Sequence, residues 1–198
     1  MTSALVLLLL VAGISQQADA AALFERGVPW DSFLSTVQAQ QTLWHSNARR
    51  ADIAPALVER MQKAGQGMRL LVIGEASCSD SVSVVPYVAR LAKLASLELR
   101  IISREAGQPV LAAHRSPDGR EATPTIVLLR SGQIAGLFVE RPAALQEWFI
   151  SVGARLSQQD RYARKMSWYD WDRGDSSVTE IVVLAEKSAR LSPGAPAR

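Results

Sequence analysis

The chain has 198 residues, 48% of them hydrophobic and 21% charged, with a formal net charge of +3. That length suits one domain with additions, and that charge is too small to indicate a nucleic-acid partner. One cysteine and two histidines exclude an intrachain disulfide framework, a multi-cysteine zinc site and an HExxH centre.

The first element is "ALVLLLLVAGI", from Ala4 to Ile14. It is an apolar run of signal-peptide length, too short to span a bilayer well. Ala18-Asp19-Ala20 follows in the small-x-small pattern of a cleavage site, although no Lys or Arg precedes the run. The pattern predicts a signal peptide over residues 1–20 and a periplasmic or secreted protein, with a cytoplasmic location as the alternative. Cleavage after Ala20 would remove Asp19 and leave a charge of +3 − (−1) = +4, with no stable membrane insertion.

"VPWDSFLSTVQAQQTLWHSNARR" (Val28 to Arg50) has Trp30, Phe33, Leu34, Val37, Gln41 and Trp44 at helical spacing, which predicts one amphipathic helix. Its aromatics read as packing groups rather than a cofactor box. "DIAPALVERMQKAG" (Asp52 to Gly65) predicts a second helix, with Pro55 in its first turn and Gly65 just past its end. "MRLLVIGE" from Met68 is a nearly continuous apolar run, the mark of a strand buried on both faces. "CSDSVSVVPYVARLAKLA" from Cys78 returns to a helical period, with Pro86 inside it as a kink signal. "LELRIIS" (Leu97 to Ser103) reads as a strand, "AGQPVLAAHRS" as a short helix and "PDGRE" as a turn. "TIVLLR" (Thr125 to Arg130) and "IAGLFVE" (Ile134 to Glu140) form a hairpin around "SGQ". "RPAALQEWFISVGARL" is a helix with Pro142 early in it.

"RYARKMSWYDWDRGD" mixes bases and aromatics. Trp168, Tyr169 and Trp171 are expected to pack this segment onto the domain. The mild basic clusters at Arg49-Arg50 and at Arg161, Arg164 and Lys165 read as solvated faces. "SSVTEIVVLAEKSA" (Ser176 to Ala189) is a final helix, with Ser176 or Ser177 as its cap and Glu180 placed for a capping box. The order of elements implies a mixed sheet covered by helices. The divisions are a helical extension over residues 21–66, an α/β domain over 67–156, an extension with a helix over 157–190, and a frayed tail over 191–198.

Cys78 follows a buried strand and opens a helix. Unpaired N–H groups there stabilise an anion and favour a thiolate, the nucleophilic form. Asp80, in the first turn, opposes that effect. Two readings stay open: a reactive thiol, or a small buried apolar residue. Asp80 itself reads as a helix-start carboxylate or as a proton-transfer group. Glu75 reads as a strand-end surface residue, and His114 as decorating a helix end. Thr123-Pro124-Thr125 directly precedes a strand, and a cis proline there would leave extended backbone beside the cysteine.

The element order, the strand leading to Cys78 and the Thr123-Pro124 pair resemble the thioredoxin fold over roughly 68–156. The resemblance implies that Cys78 takes the nucleophile position and Pro124 the cis-proline position. The Cys-x-x-Cys motif reads "CSDS" here, with Ser81 in place of the resolving cysteine and Ser77 in place of the preceding tryptophan. "CSDS", "LFERGVPWDSFL" and "WYDWDRGDSSVTEIV" together resemble more narrowly a bacterial thioredoxin-like family whose members often carry Trp-Cys-Gly-Asp. The implied fold class is α/β, thioredoxin-like, with an N-terminal helical extension and a C-terminal helix. The implied activity is monothiol thiol–disulfide exchange, with Cys78, Ser81 and Asp80 as candidate catalytic residues. Thr123, Pro124 and Ser77 are the candidate partner contacts, and no cofactor or metal is implied. The partners would be protein thiols or disulfides, or a low-molecular-weight thiol. The alternatives are a non-catalytic binding module using the same groove, and a redox sensor that dimerises through Cys78.

Overall fold

The computed structural model describes residues 20–191. Of the expected signal peptide (1–20) and frayed tail (191–198), all but Ala20 and Leu191, which belong to α1 and α9, lie outside the described residues. The elements run α1 (residues 20–26), β1 (Val28–Pro29), α2 (Trp30–Thr36), α3 (Gln41–Arg50), α4 (Pro55–Ala64), β2 (Met68–Ile73) and α5 (Ser79–Leu94). They continue with β3 (Glu98–Ile102), α6 (Gln108–Ala113), β4 (Thr125–Arg130), β5 (Gln133–Val139) and α7 (Ala143–Ser151). A 3-10 turn (Gly153–Arg155), α8 (Gln158–Asp172) and α9 (Asp175–Leu191) follow.

The five strands form one mixed sheet in the order β1-β3-β2-β4-β5. The central β2 pairs parallel to β3, with Leu70 opposite Leu99, and antiparallel to β4, with Leu70 opposite Leu128. The parallel pair is joined through α5, the crossover that a parallel connection requires. β2 is apolar except for Arg69 because both faces are covered. Leu70 and Val72 face a core shared with α3, α4, α5 and α9, whereas Leu71 and Ile73 face α1 and α6. No helix of the described residues is long and apolar enough to cross a membrane.

Three expectations are corrected. Val28 to Arg50 is not one helix. Val28 and Pro29 pair with Ile101 and Arg100 as an edge strand. α2 then ends with the Val37 N–H on the Phe33 carbonyl, and Gln40 turns left-handed at φ 53° before α3. The apolar stripe survives this break because Trp30, Phe33 and Trp44 converge, with the Phe33 and Trp44 rings 5.0 Å apart. Second, one of the three aromatics expected to pack "RYARKMSWYDWDRGD" onto the domain does not; the segment lies almost wholly in α8. The signal was Ser157 three residues before Asp160: the Ser157 hydroxyl accepts the Asp160 N–H at 3.1 Å. Within it Tyr169 is buried and Trp168 half-buried, but Trp171 is 80% exposed and packs nothing down. Third, Glu180 closes no capping box. Its carboxylate accepts the Ala143 N–H at 2.7 Å, at the start of α7, and Asp172 accepts the Ser176 N–H at 3.3 Å instead.

Candidate functional site

Cys78 is the N-cap residue of α5, with extended backbone (φ −77°, ψ 122°). The turn before it is closed by the Cys78 N–H on the Glu75 carbonyl at 3.0 Å. Its side chain is half-buried and its thiol donates to the Thr123 carbonyl at 3.1 Å. The Thr123–Pro124 peptide bond is cis. The end of β2 and the approach to β4 therefore bring together two segments 45 residues apart in sequence.

The turn carrying Cys78 is held from behind by α3. Trp44 Nε1 and Gln40 Nε2 both donate to the Ala76 carbonyl, at 3.0 and 3.3 Å. Trp44 is 1% exposed, so this anchor sits in the aromatic cluster with Trp30 and Phe33. Beside the turn lies a cleft of about 400 Å³ lined by Phe33, Glu75, Ala76, Ile102 and Arg104, among others.

The remaining expected site residues divide. Ser77 is exposed in the turn. Ser81 is fully buried, and its hydroxyl accepts the Glu75 N–H at 3.4 Å, so it braces the turn from inside. The thiol's hydrogen bond goes to a carbonyl, not to Ser81. Asp80 lies in the first turn of α5, as a helix-start carboxylate does. It is 5% exposed and points into the protein. One carboxylate oxygen accepts from Lys165 Nζ and the other from the Tyr169 hydroxyl, each at 2.7 Å. Arg141 Nε stands 3.5 Å from Asp80. Burial, and then the Asp80 charge, push the Tyr169 hydroxyl well above its usual pKa.

This network widens around Arg141. Its guanidinium pairs with Glu140 and lies 3.8 Å over the Phe149 ring. Glu140 also takes Arg120 at 2.8 Å, and its backbone N–H bonds the Pro124 carbonyl at 2.7 Å. Lys165, expected on a solvated face, is 6% exposed and also donates to the Ser79 hydroxyl at 2.8 Å. Sequence reading missed Trp44, Lys165, Tyr169 and Arg141 as supports of the site, because each acts across a long gap in the chain. Among the described residues, no three His, Cys, Asp or Glu side chains are grouped to hold a metal ion.

A mixed sheet with a cysteine at the helix start after its central strand, and a cis proline facing that cysteine, defines a thioredoxin-like protein. A family model described as thioredoxin matches residues 27–161, more than half of the chain, and the chain belongs to that family. The match begins before β1, so the segment ahead of β2 is part of the matched region. The chain is similar to the crystal structure of a protein of unknown function from Pseudomonas aeruginosa, with a TM-score of 0.67 and 23% identity over 84% of this chain and 96% of that one. It is also similar to a crystallised HIV epitope scaffold, with a TM-score of 0.64 and 23% identity over 84% of this chain and 97% of that one. Identity at that level speaks for the fold. No curated protein matches.

Proposed function

We propose that this protein performs monothiol thiol–disulfide exchange through Cys78. The observation that carries the reading is the half-buried Cys78 thiol at the start of α5, 3.1 Å from the Thr123 carbonyl across a cis Thr123–Pro124 bond. The Cys78 thiolate attacks one sulfur of a partner disulfide. A Cys78–partner disulfide forms, and the other partner sulfur leaves as a thiolate that takes a proton from solvent. The chain has one cysteine, so an outside thiolate must attack the partner sulfur of that mixed disulfide. This releases Cys78 as thiolate and leaves the partner joined to the outside thiol. A partner strand would lie beside the Thr123–Pro124 segment with Ser77 at its edge; Thr123 and Pro124 are themselves buried, and their carbonyls accept the Cys78 thiol and the Glu140 N–H.

Incubation with glutathione disulfide, followed by intact mass measurement, tests this. One glutathionyl adduct per native chain is expected, removed by reduced glutathione and absent in Cys78→Ser. A native chain that forms no adduct, yet reacts once unfolded, would sink the proposal.

One observation favours a second reading, a binding module on the same face. Ser81 is buried and bonded to the Glu75 N–H, so the resolving position serves the turn's shape and not the thiol. In that case partner binding survives Cys78→Ala unchanged.

A further inference from the structure

The two edges of the sheet are unlike. β1, at one edge, is two residues long and includes Pro29, which has no N–H to offer a further strand. β5, at the other edge, runs for seven residues, Gln133–Val139, and among the described residues it pairs with β4 alone. Its sequence QIAGLFV holds no charge and no proline, the usual guards of an open edge. A register shift at Leu128 and Leu129 interrupts its pairing with β4, and Gly136–Val139 beyond the shift is regular. Gln133 is exposed, and every other residue of β5 except Phe138 is only half-buried.

α9 lies over this edge and runs antiparallel to β5. A Cβ at Gly136 would stand 3.5 Å from Leu184 Cβ, and Glu180, one turn earlier, takes the Ala143 N–H beyond the end of β5. A cleft of about 460 Å³ opens there, with Leu137, Val139, Val183 and Leu184 as its apolar wall. Its arginines are paired within the chain, Arg115 with Glu121 and Arg141 with Glu140. The two charges on α9 are not. Lys187 is exposed and has no acidic partner among the described residues, and Glu180 uses only one carboxylate oxygen on Ala143. They are seven residues apart, about 10 Å along the helix, too far to meet each other. Val183 and Leu184 stand midway between them. An acid, an apolar centre and a base in line are complementary to the same stripe reversed. We infer that this face binds a second copy of the chain, with the two β5 edges antiparallel across a twofold axis near Gly136. The two sheets then join into one, the apolar centres of the two α9 helices meet, and Glu180 of each copy faces the partner's Lys187. Main-chain bonds between the edges supply affinity, and the crossed charges fix the antiparallel direction. Cys78 takes no part, so the inference holds or fails apart from the exchange chemistry.

The test is sedimentation velocity of the full chain at neutral pH under reducing conditions. A dimer is expected at about 100 μM, where even a micromolar interface is filled, and Cys78→Ala should form it equally. Lys187→Glu sets acids against acids at both ends of the interface. It should raise the dimer dissociation constant about tenfold, because the twofold axis repeats each lost pair. Glu180→Lys should do the same with two bases. An equimolar mixture of the two variants restores both pairs, and should form a heterodimer as readily as the unaltered chain forms its homodimer. A merely structural effect of either change would not produce that rescue. The inference is overturned if the unaltered chain is monomeric, if dimerisation requires oxidised Cys78, if Lys187→Glu leaves the dimer unchanged, or if the mixed variants fail to pair. Should Glu180→Lys fail to fold, the exposed Lys187→Glu decides alone.

Discussion

Pro86 has no N–H, so the Val82 carbonyl, four residues earlier in α5, loses its helical donor. The helix nonetheless runs unbroken from Ser79 to Leu94. Asn47 of α3, 1% exposed, supplies the missing donor: its Nδ2 reaches the Val82 carbonyl at 2.7 Å. Asn47→Ala should therefore destabilise the chain by about 1–3 kcal/mol in urea unfolding, the penalty of an orphaned buried carbonyl. In a Pro86→Ala background the restored backbone N–H takes over, and the same change should cost clearly less. Simply additive costs would refute this coupling.

At the scale of elements, the joint between α8 and α9 depends on Gly174. Its φ is +79°, and a Cβ there would lie 2.3 Å from Tyr87 Cγ of α5. Gly174→Ala should cost at least about 2 kcal/mol, since strain and overlap add. Gly119 has a similar φ of +82° but nothing within 4 Å of its Cβ position. Gly119→Ala should cost only the conformational part, roughly 1–2 kcal/mol. Equal losses in thermal unfolding would show that Tyr87 does not matter. α9 also meets α7 through Glu180, whose carboxyl is pushed above its usual pKa by burial despite the Ala143 N–H. The folded chain thus holds this proton more tightly than the unfolded chain. The stability it contributes is full below pH 4.5, the ordinary value, and is lost as pH rises through the raised folded value. Glu180→Gln keeps an acceptor for Ala143 and should flatten the stability profile just above that pH. An unchanged profile would rule this out.

At the scale of the molecule, Asp80 ties α5, the helix that Cys78 opens, to the C-terminal extension. Lys165 and Tyr169 of α8 and Arg141 before α7 converge on one carboxylate. A buried ion pair broken on one side leaves an uncompensated charge. Asp80→Asn or Lys165→Met alone should cost about 3–5 kcal/mol in denaturant unfolding. Asp80→Leu combined with Lys165→Met removes both charges, and its cost should fall well short of the sum of the single changes. A double-mutant cycle with no coupling would mean that the pair contributes nothing specific.

The sequence by itself determined the central sheet, α5 and the position of Cys78. Apolar runs and helical periods are local, and burial on both faces of β2 leaves a nearly continuous apolar signature, broken only by Arg69. It also singled out Pro124 beside that cysteine. The break at Gln40 was not legible, because the aromatic stripe of α2 and α3 keeps helical spacing across it. Nor was Asp80's partner, since a carboxylate in a first turn reads the same whether it meets water or Lys165, 85 residues away. Only the tertiary structure decided that Ser81 faces the turn and not the thiol, and that Lys165 is buried and Trp171 is not. Those outcomes depend on which surfaces meet, and pairwise contacts between distant segments leave no periodic trace in the chain.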